Sequence, residues 1–455
     1  MNGSPPRPGG RRRLAAIAAI VVLLAVVVST LVRVVAEPVR VLSELLLLVV
    51  LVAIGWVALT RTGARRVAAI AATVAAAIAL SIVAVNADGF HLVSLLVRIG
   101  GLVVASGLAL FALGATVEAL KGSETPGTPV PGAGRGVLFM NLKSGGGKAE
   151  RFHLVDECRR RGIEPVVLEP GMDWLQTVRE VAASGVDVLG MAGGDGSQAM
   201  VGTVAAELGL PMVVVPAGTR NHLALDLGLD RDDVVGALDA YGEAVERTMD
   251  LADVNGRVFV NNVSLGVYAA IVRSPAYRDA KVDTTLATLP QVLGPDTEPF
   301  DLRFTGPDGT EHRGAHVIQV SNNPYGTAPG GRSSRVRLDT HQLGVIALVL
   351  GRTGGAASFL AALAIGHAER FSGLTSWATP TFEVTSGGPI DVALDGETMV
   401  MDPPLRFSIR QAPVRVRLPK HAIGYSPAAI ALGWRHAGPQ LWRVALGRPP
   451  RLVLG

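Results

Sequence analysis

Cysteine is almost absent from this chain, which has Cys158 as its single thiol among 455 residues. One thiol excludes an intramolecular disulfide framework and any metal centre built from several cysteines, and it fits a reducing compartment. Charge is sparse too, because Asp, Glu, Lys and Arg together supply 18% of the residues while apolar residues supply 49%. A typical soluble domain is less apolar, and we therefore expect part of the chain to lie in lipid.

The segments without charge are concentrated in residues 1–120, which we interpret as a membrane anchor. Residues 14–31 carry no ionisable side chain, and at about 1.5 Å per residue they nearly cross a hydrocarbon core of about 30 Å. Further apolar runs raise the prediction to about four transmembrane helices, the others lying at 43–60, 67–86 and 99–118. A signal peptide is the alternative for the first run, but no clear small-residue cleavage pattern closes it and further spans follow.

The positions of the arginines predict the orientation of this anchor. Arginines precede the first run at residues 7–13 and fill the second loop at residues 61–66, whereas the third loop has none. Positive charge marks cytoplasmic loops, so a multi-pass protein of the cell membrane with its remaining chain in the cytoplasm is expected. The net charge of +4 fits anionic lipid headgroups, and we expect no nucleic-acid partner.

Two segments flank the part of the chain that we expect to be globular. Residues 121–135 are dense in Pro, Gly and Thr, a composition that predicts a flexible linker. The tail at 421–455 mixes arginine and tryptophan with apolar residues. It suits an interfacial segment, a packing extension or a disordered end, and the sequence does not separate these readings.

Between them, residues 136–250 repeat a pattern of apolar strand, glycine-rich turn and helix, and residues 251–420 change to short alternating strands. The first pattern predicts an α/β domain with an open parallel sheet, and the second predicts a β-rich domain. Glycine lets backbone N–H groups approach phosphate oxygens, and the turns should meet at one sheet edge. Reversal of the chain is the alternative role of each turn. The candidate phosphate-binding residues on this pattern are Gly145, Gly193, Gly194, Gly196, Gly218, Thr219 and Asn221.

Asp195 is the carboxylate enclosed by the second of these glycine turns. At the carboxyl end of a strand it could hold Mg²⁺ on the phosphates of a nucleotide. An Asp-Gly turn followed by a helix cap at Ser197 is the alternative, although three glycines around one carboxylate exceed what a turn requires.

These motifs resemble the diacylglycerol kinase catalytic domain, whose superfamily includes bacterial lipid kinases, sphingosine and ceramide kinases and NAD kinases. The signature Asn-Pro-x-Ser-Gly appears with Leu142 in place of proline, and Gly-Gly-Asp-Gly-Thr appears with Ser197 in place of threonine. The signature Pro-x-Gly-Thr-x-Asn occupies residues 216–221. The resemblance implies that Asn141, Ser144 and Ser197 also belong to the nucleotide-binding site. The resemblance covers about residues 135–420 and implies a nucleotide-binding open sheet that faces a β-sandwich with a lipid pocket.

The resemblance also assigns roles to residues late in the chain. In the segment VALDGETM it implies that Glu397 is the general base and that Asp395 and Gly396 shape its turn. Without it, Glu397 would read as a solvent-facing hairpin carboxylate. The segment that contains Asp339 looks like a region that holds a structural Mg²⁺ in some bacterial members, so Asp339 is a candidate metal ligand.

The expected function is transfer of the γ-phosphate of ATP, with Mg²⁺, to a lipid hydroxyl, diacylglycerol being the first choice of acceptor and ceramide or a sphingoid base the next. A lipid substrate and a membrane are the expected partners, and a homodimer is considered. NAD kinase is an alternative, but it usually lacks spans and carries Asn-Asn-Glu where this chain has residues 219–221. A catalytically silent sensor would predict loss of Asp195 or Glu397, and both are present.

Overall fold

The computed structural model describes residues 9–36, 90–113, 125–266, 300–326, 334–350, 373–410, 413–426, 429 and 434–448. It divides the chain into two compact units. The first unit combines Met1–Ala119 with Leu432–Leu452, and the second spans Leu120–Ala431 together with Val453–Gly455. Each unit is described by itself below.

The first unit is helical and includes α1 (Gly10–Ala36), α2 (Phe90–Leu113) and a C-terminal helix (Trp434–Ala445). Alanines of α1 are buried against apolar side chains of α2 and of the C-terminal helix, because small residues let helix backbones approach closely. The Nε of Arg13 donates to the carbonyl oxygen of Ala445 at 2.8 Å, satisfying an acceptor in the last turn of the C-terminal helix. The C-terminal helix, within the tail, is thus a packing extension of this unit.

Among the described residues, α1 is the one helix long and apolar enough to cross a membrane by length and composition. The predicted span 99–118 falls partly on α2, whose apolar stretch Gly100–Leu113 is shorter. The predicted spans 43–60 and 67–86 lie outside the described residues. One candidate span therefore stands where the sequence predicts about four, and a multi-pass arrangement is not supported.

The second unit begins with a seven-stranded sheet. In spatial order its strands are β1 (Thr128–Val130), β6 (Ala244–Met249), β19 (Val414–Pro419), β5 (Pro211–Pro216), β4 (Val188–Gly193), β2 (Gly136–Met140) and β3 (Glu164–Val167). The strands from β19 to β3 are parallel, whereas β6 and β1 run antiparallel to their neighbours. The parallel part has the open-sheet geometry that the strand-turn-helix repeats predict.

Helices and turns cover both faces of this sheet. The α-helices are α3 (Lys148–Arg151), α4 (Leu154–Arg160), α5 (Trp174–Ala182), α6 (Asp195–Leu208) and α7 (His222–Asp226). Two 3-10 helices lie at Ser144–Gly146 and Gly236–Tyr241. Side chains of one strand alternate between two cores, so that Val137 and Phe139 join one and Leu138 and Met140 join the other. Burial on both faces explains why the strands read as continuous apolar runs.

The segment preceding β2 differs from the flexible linker predicted for 121–135. Within its described part, β1 pairs with β6 at the sheet edge, and the hydroxyl of Thr125 donates to the carbonyl oxygen of Lys420 at 2.8 Å. Proline and glycine here permit an edge strand as well as a tether, because an edge position does not require every N–H group to be paired.

Two further sheets form a β-sandwich, as predicted. The six-stranded sheet has the order β14 (Leu374–Thr379), β13 (Leu343–Leu348), β12 (Val317–Asn322), β9 (Asn262–Gly266), β16 (Ile390–Leu394) and β17 (Glu397–Met401). The four-stranded sheet has the order β15 (Thr381–Val384), β18 (Leu405–Ile409), β7 (Ala252–Val254) and β8 (Arg257–Phe259), and a hairpin joins β10 (Arg303–Thr305) to β11 (Glu311–Arg313). Val263 and Val320 of the first sheet share one core with Phe382 and Phe407 of the second.

Candidate functional site

Three glycine loops meet at the edge of the seven-stranded sheet where β2, β4 and β5 end. We call residues 141–147 the first loop, 193–197 the second and 216–221 the third. Their backbones touch: a Cβ atom on Gly145 would lie 2.3 Å from the carbonyl oxygen of Ala217, and one on Gly218 would lie 2.4 Å from the Cα of Gly194. Only glycine permits these approaches, so the predicted convergence of the loops is present in the structure.

The first loop presents a run of left-handed backbone. Gly145, Gly146 and Gly147 have φ angles of 56°, 71° and 77°, and the Oδ1 of Asn141 accepts the N–H of Lys143 at 3.1 Å to hold the entry into the turn. Ser144 opens the 3-10 helix that follows. Successive amides in such turns form concave anion-binding surfaces. The loop geometry therefore suits phosphate oxygens.

The second loop leads into α6. The hydroxyl of Ser197 donates to the carbonyl oxygen of Gly194 at 2.8 Å, and a Cβ atom on Gly193 would lie 2.2 Å from that hydroxyl. Ser197 thus shapes the loop from within. The first N–H groups of a helix have no partner inside it and attract anions, so the start of α6 adds positive potential to this edge.

Asp195 joins the second loop to α7. Its buried carboxylate accepts the backbone N–H of His222 at 3.0 Å and that of Leu223 at 3.1 Å, one on each oxygen. Burial lowers the pKa of His222, while the negative charge of Asp195 acts in the opposite direction. A carboxylate oxygen has two lone pairs, so each oxygen of Asp195 keeps one for a further ligand.

The third loop is held together by Asn221, which has a φ angle of 50° and is buried. Its Oδ1 accepts the N–H of Gly218 at 2.9 Å, and its Nδ2 donates to the carbonyl oxygens of Pro216 at 3.0 Å and Gly218 at 2.9 Å. The Asn221 amide is therefore engaged inside the loop, while Thr219 is exposed. The sequence does not reveal this difference between the two residues.

Glu397 reaches this edge from the sandwich. Asp395 and Gly396 form the two-residue connection of β16 with β17, with φ angles of 46° and 91°, as a tight hairpin requires. The Oε1 of Glu397 lies 3.5 Å from the position that a Cβ atom on Gly196 would take. The hairpin thus brings a carboxylate to the start of α6.

Asp395 fixes this hairpin to the strand beside it. One oxygen of its carboxylate accepts the N–H of Val260 at 2.9 Å, and the other accepts those of Asn261 at 2.9 Å and Asn262 at 3.1 Å. Burial raises the pKa of Asp395 to about 7, the charge of Asp195 acts in the same direction, and the three amides oppose the rise. The role in shaping the turn that the family resemblance implies for Asp395 has its physical basis in these bonds.

Comparison with known proteins finds that residues 135–254 match the diacylglycerol kinase catalytic domain family. The three glycine loops and Asp195 all lie within this match. The chain is also 33% identical over 91 residues to the diacylglycerol kinase of Bacillus subtilis (strain 168), a stretch that covers 20% of this chain and 30% of that protein.

Solved structures share the fold over a longer range than the family match. Two structures of a provisionally assigned diacylglycerol kinase from Bacillus anthracis str. Sterne superpose with a TM-score of 0.50 at 19% identity. Each comparison covers 65% of this chain and 98% of the solved chain. The sandwich that carries Glu397 lies beyond the family match, so the assignment of Glu397 depends on its position opposite the kinase domain loops and on its motif.

Among the described residues, the partner of Asp339 is an arginine. The Nε of Arg337 donates to its Oδ1 at 2.9 Å, and this guanidinium lowers the pKa of Asp339. Within the described residues, no group of three or more His, Cys, Asp or Glu side chains could hold a metal ion. The structure thus gives no support to the prediction of a structural Mg²⁺ at Asp339.

Arg335 is the residue beside the kinase domain that the sequence analysis missed. It is fully buried, and its Nε lies 2.6 Å from the Oδ2 of Asp226 at the end of α7. The two residues are separated by 109 positions, and no local pattern in the sequence relates them. A buried arginine in a polar segment could have been found only through its partner, since a charge in a protein interior is normally paired.

Proposed function

We propose that this chain is a membrane-anchored lipid kinase that transfers the γ-phosphate of ATP to a lipid hydroxyl, with diacylglycerol as the acceptor and phosphatidate as the product. The observation that carries the proposal is the position of the Glu397 carboxylate, 3.5 Å from where a Cβ atom on Gly196 would lie. A potential base from the sandwich faces the phosphate-binding edge of a diacylglycerol kinase catalytic domain.

In this proposal the three glycine loops hold the phosphates of ATP. A Cβ atom on Gly146 would meet no other atom within 4 Å, so the backbone is accessible there. Gly145, Gly193 and Gly218 let the loops pack closely, and Gly194 and Gly196 lie at the turn into α6. Ser144 and Thr219 supply hydroxyl groups, and Asn141, Ser197 and Asn221 keep the loops in shape. Such amides can balance negative charge on a phosphoryl group without reorganising during the reaction.

Mg²⁺ fits this edge as an ion carried by the nucleotide. Asp195 retains a lone pair on each oxygen, and Mg²⁺ is usually bound through one or two carboxylates while phosphate and water supply its other ligands. When bound, Mg²⁺ would be held by Asp195 and would neutralise charge on the phosphates.

Glu397 acts as the general base in the transfer. Its carboxylate accepts the proton of the lipid hydroxyl while that oxygen forms a bond to the γ-phosphorus. The bond from the γ-phosphorus to the bridging oxygen of ADP breaks, and ADP leaves with the electron pair. A positioned base of this kind contributes about 10²- to 10⁴-fold to the rate.

The apolar helix α1 suits a substrate that stays in the bilayer. It is 27 residues long and largely exposed along its apolar length, and a helix of this kind can anchor an enzyme beside its substrate. We propose that the kinase domain faces the cytoplasm, because arginines precede α1.

The test measures transfer of labelled γ-phosphate from ATP to an extracted lipid pool by the full-length protein in detergent. We expect one labelled phospholipid, and we expect Glu397→Gln to lower kcat about 10²- to 10⁴-fold with little change in the KM for ATP. Glu311→Gln, at an exposed carboxylate in the hairpin of β10 and β11, is the matched control and should keep full activity.

The result separates the candidate functions. Labelled phosphatidate supports the proposal, and a labelled ceramide or sphingoid base changes the acceptor alone. Binding of ATP with no labelled lipid would instead favour the catalytically silent sensor. Full activity of Glu397→Gln would remove Glu397 from the mechanism.

A further inference from the structure

Helix α7 is held at both ends by buried groups. At its start, the Asp195 carboxylate accepts the N–H groups of His222 and Leu223. At its end, the Asp226 carboxylate accepts from the backbone N–H of Arg335 at 3.1 Å and from its Nε at 2.6 Å. One short helix therefore connects the acid of the second glycine loop to a fully buried arginine.

The same arginine also holds the segment that connects β8 with β9 in the sandwich. Its Nη2 donates to the Oδ1 of Asn261 at 2.7 Å, and its Nη1 donates to the carbonyl oxygen of Asn322 at 2.8 Å and to that of Val260. The guanidinium has five N–H donors in a rigid fork. Its bonds therefore specify both the distance and the direction from α7 to residues 260–261.

The same segment also contacts the hairpin of β16 and β17, which carries Glu397. The backbone N–H groups of residues 260–262 bind the Asp395 carboxylate, and Asp395 stands two positions before Glu397 in a two-residue turn. A series of hydrogen bonds thus runs from Asp195 through α7, Arg335 and residues 260–262 to Asp395, and the two-residue turn joins Asp395 to Glu397.

We propose that Arg335 is a positioning residue, which acts with Asp226 to set the distance between Glu397 and the second glycine loop. This inference rests on the proposed kinase function, in which that distance decides whether the base reaches the lipid hydroxyl. Stability alone does not require the pair, because a buried ion pair can often be replaced by apolar residues of similar volume without loss of stability. What an apolar pair cannot reproduce is the directional fork that joins α7 to residues 260–261.

Three variants of the full-length protein test this role. Arg335→Lys keeps the charge and loses the fork, and the double variant Asp226→Leu/Arg335→Met replaces the ion pair by an apolar pair. Arg417→Lys is the matched control, because Arg417 is also buried but lies in β19 of the seven-stranded sheet and donates to the carbonyl oxygen of Gly242 at 2.9 Å. Thermal unfolding and ATP binding establish that each variant is folded.

We expect Arg335→Lys and the apolar pair to lower kcat by about 10²-fold, the order of loss that a displacement near 1 Å produces. The KM for ATP should stay near the wild-type value, and Arg417→Lys should keep its kcat. In a Glu397→Gln background the same changes should cause no further loss of kcat, since residues that act as a unit are not additive. An equal loss in both backgrounds would overturn the proposal, as would a folded apolar pair with full activity.

A measurement that does not depend on activity separates this inference from the kinase proposal. Cysteines introduced as Gly196→Cys and Glu397→Cys can be joined by a short bis-maleimide, and Cys158 should not interfere because it is buried. We expect Arg335→Lys to lower the yield of this cross-link and Arg417→Lys to leave it unchanged. An unchanged yield with Arg335→Lys overturns the positioning role, even if the chain transfers no phosphate. A lowered yield in a chain without kinase activity would retain that role and reject the kinase proposal alone.

Discussion

Alanine at Gly145 and alanine at Gly147 place the same methyl group in two environments of the first glycine loop. Both glycines have positive φ angles, 56° and 77°, so both substitutions force a left-handed alanine and should lower the free energy of unfolding by about 1–2 kcal/mol. The new Cβ atom differs in its surroundings. At Gly147 its nearest neighbour would lie at 3.8 Å, whereas at Gly145 it would lie 2.3 Å from the carbonyl oxygen of Ala217.

The size of this overlap sets the expected kinetic effect. Cβ atoms essentially never approach another heavy atom within 3.0 Å, so Gly145→Ala must separate the first and third loops by about 0.7 Å or more. A displacement near 1 Å in a site that positions reacting groups lowers the rate by about 10²-fold. We therefore expect kcat/KM for ATP to fall by about that factor in Gly145→Ala and to stay close to wild type in Gly147→Ala.

The assay is transfer of labelled phosphate to lipid at varied ATP, together with chemical unfolding of both variants. The two proteins should lose similar stability from the left-handed alanine, with an added loss in Gly145→Ala from the overpacked contact. Equal kcat/KM values for the two folded variants would refute the reasoning. The contact between the first and third loops would then have no part in nucleotide binding.

Two further predictions concern buried groups. Burial holds the pKa of Asp395 at about 7 against an ordinary value of 3.8, so kcat should rise with pH through about 7, as the carboxylate that accepts three amides forms. Between pH 3.8 and about 7 the folded state keeps a proton on Asp395 that the unfolded state has lost. The contribution of Asp395 to the free energy of unfolding therefore decreases as pH rises through this range. Asp395→Asn should abolish both effects in pH-rate profiles and urea unfolding, and an unchanged profile would exclude this assignment. Burial raises the pKa of the Cys158 thiol to about 12, so iodoacetamide at pH 8 should modify it only in guanidinium, as mass spectrometry can check; modification of the native protein would contradict its burial.

Much of the architecture of the second unit can be predicted because its signals are local. Apolar strands followed by glycine turns specify a parallel sheet, and parallel strands bring their carboxyl ends to one edge. The contacts of Gly145 and Gly218 confirm that the loops meet. Composition does not predict the structure where two conformations share the same composition. The Pro-rich segment before β2 is therefore predicted to be a flexible linker, although Thr128–Val130 is an edge strand.

The site was less predictable than the fold because its supporting contacts are long-range. The motif places Asn221 in a loop but does not reveal that its amide turns inward to Pro216 and Gly218. Arg335 has no motif at all, since its partners are distant in sequence and are defined only by the folded chain. The predicted role of Glu397 rests on the family resemblance, because the spacing of residues alone does not indicate it.

The position of strand β19 affects both the folding of the chain during synthesis and the choice of fragments that can fold. It lies between β5 and β6, and β6 and β1 reach the rest of their sheet only through it. During translation the kinase domain therefore remains open until residues 414–419 leave the ribosome, after the whole sandwich has been synthesised. A fragment that ends at residue 254, where the family match ends, would expose the facing edges of β5 and β6, and unpaired strand edges favour aggregation.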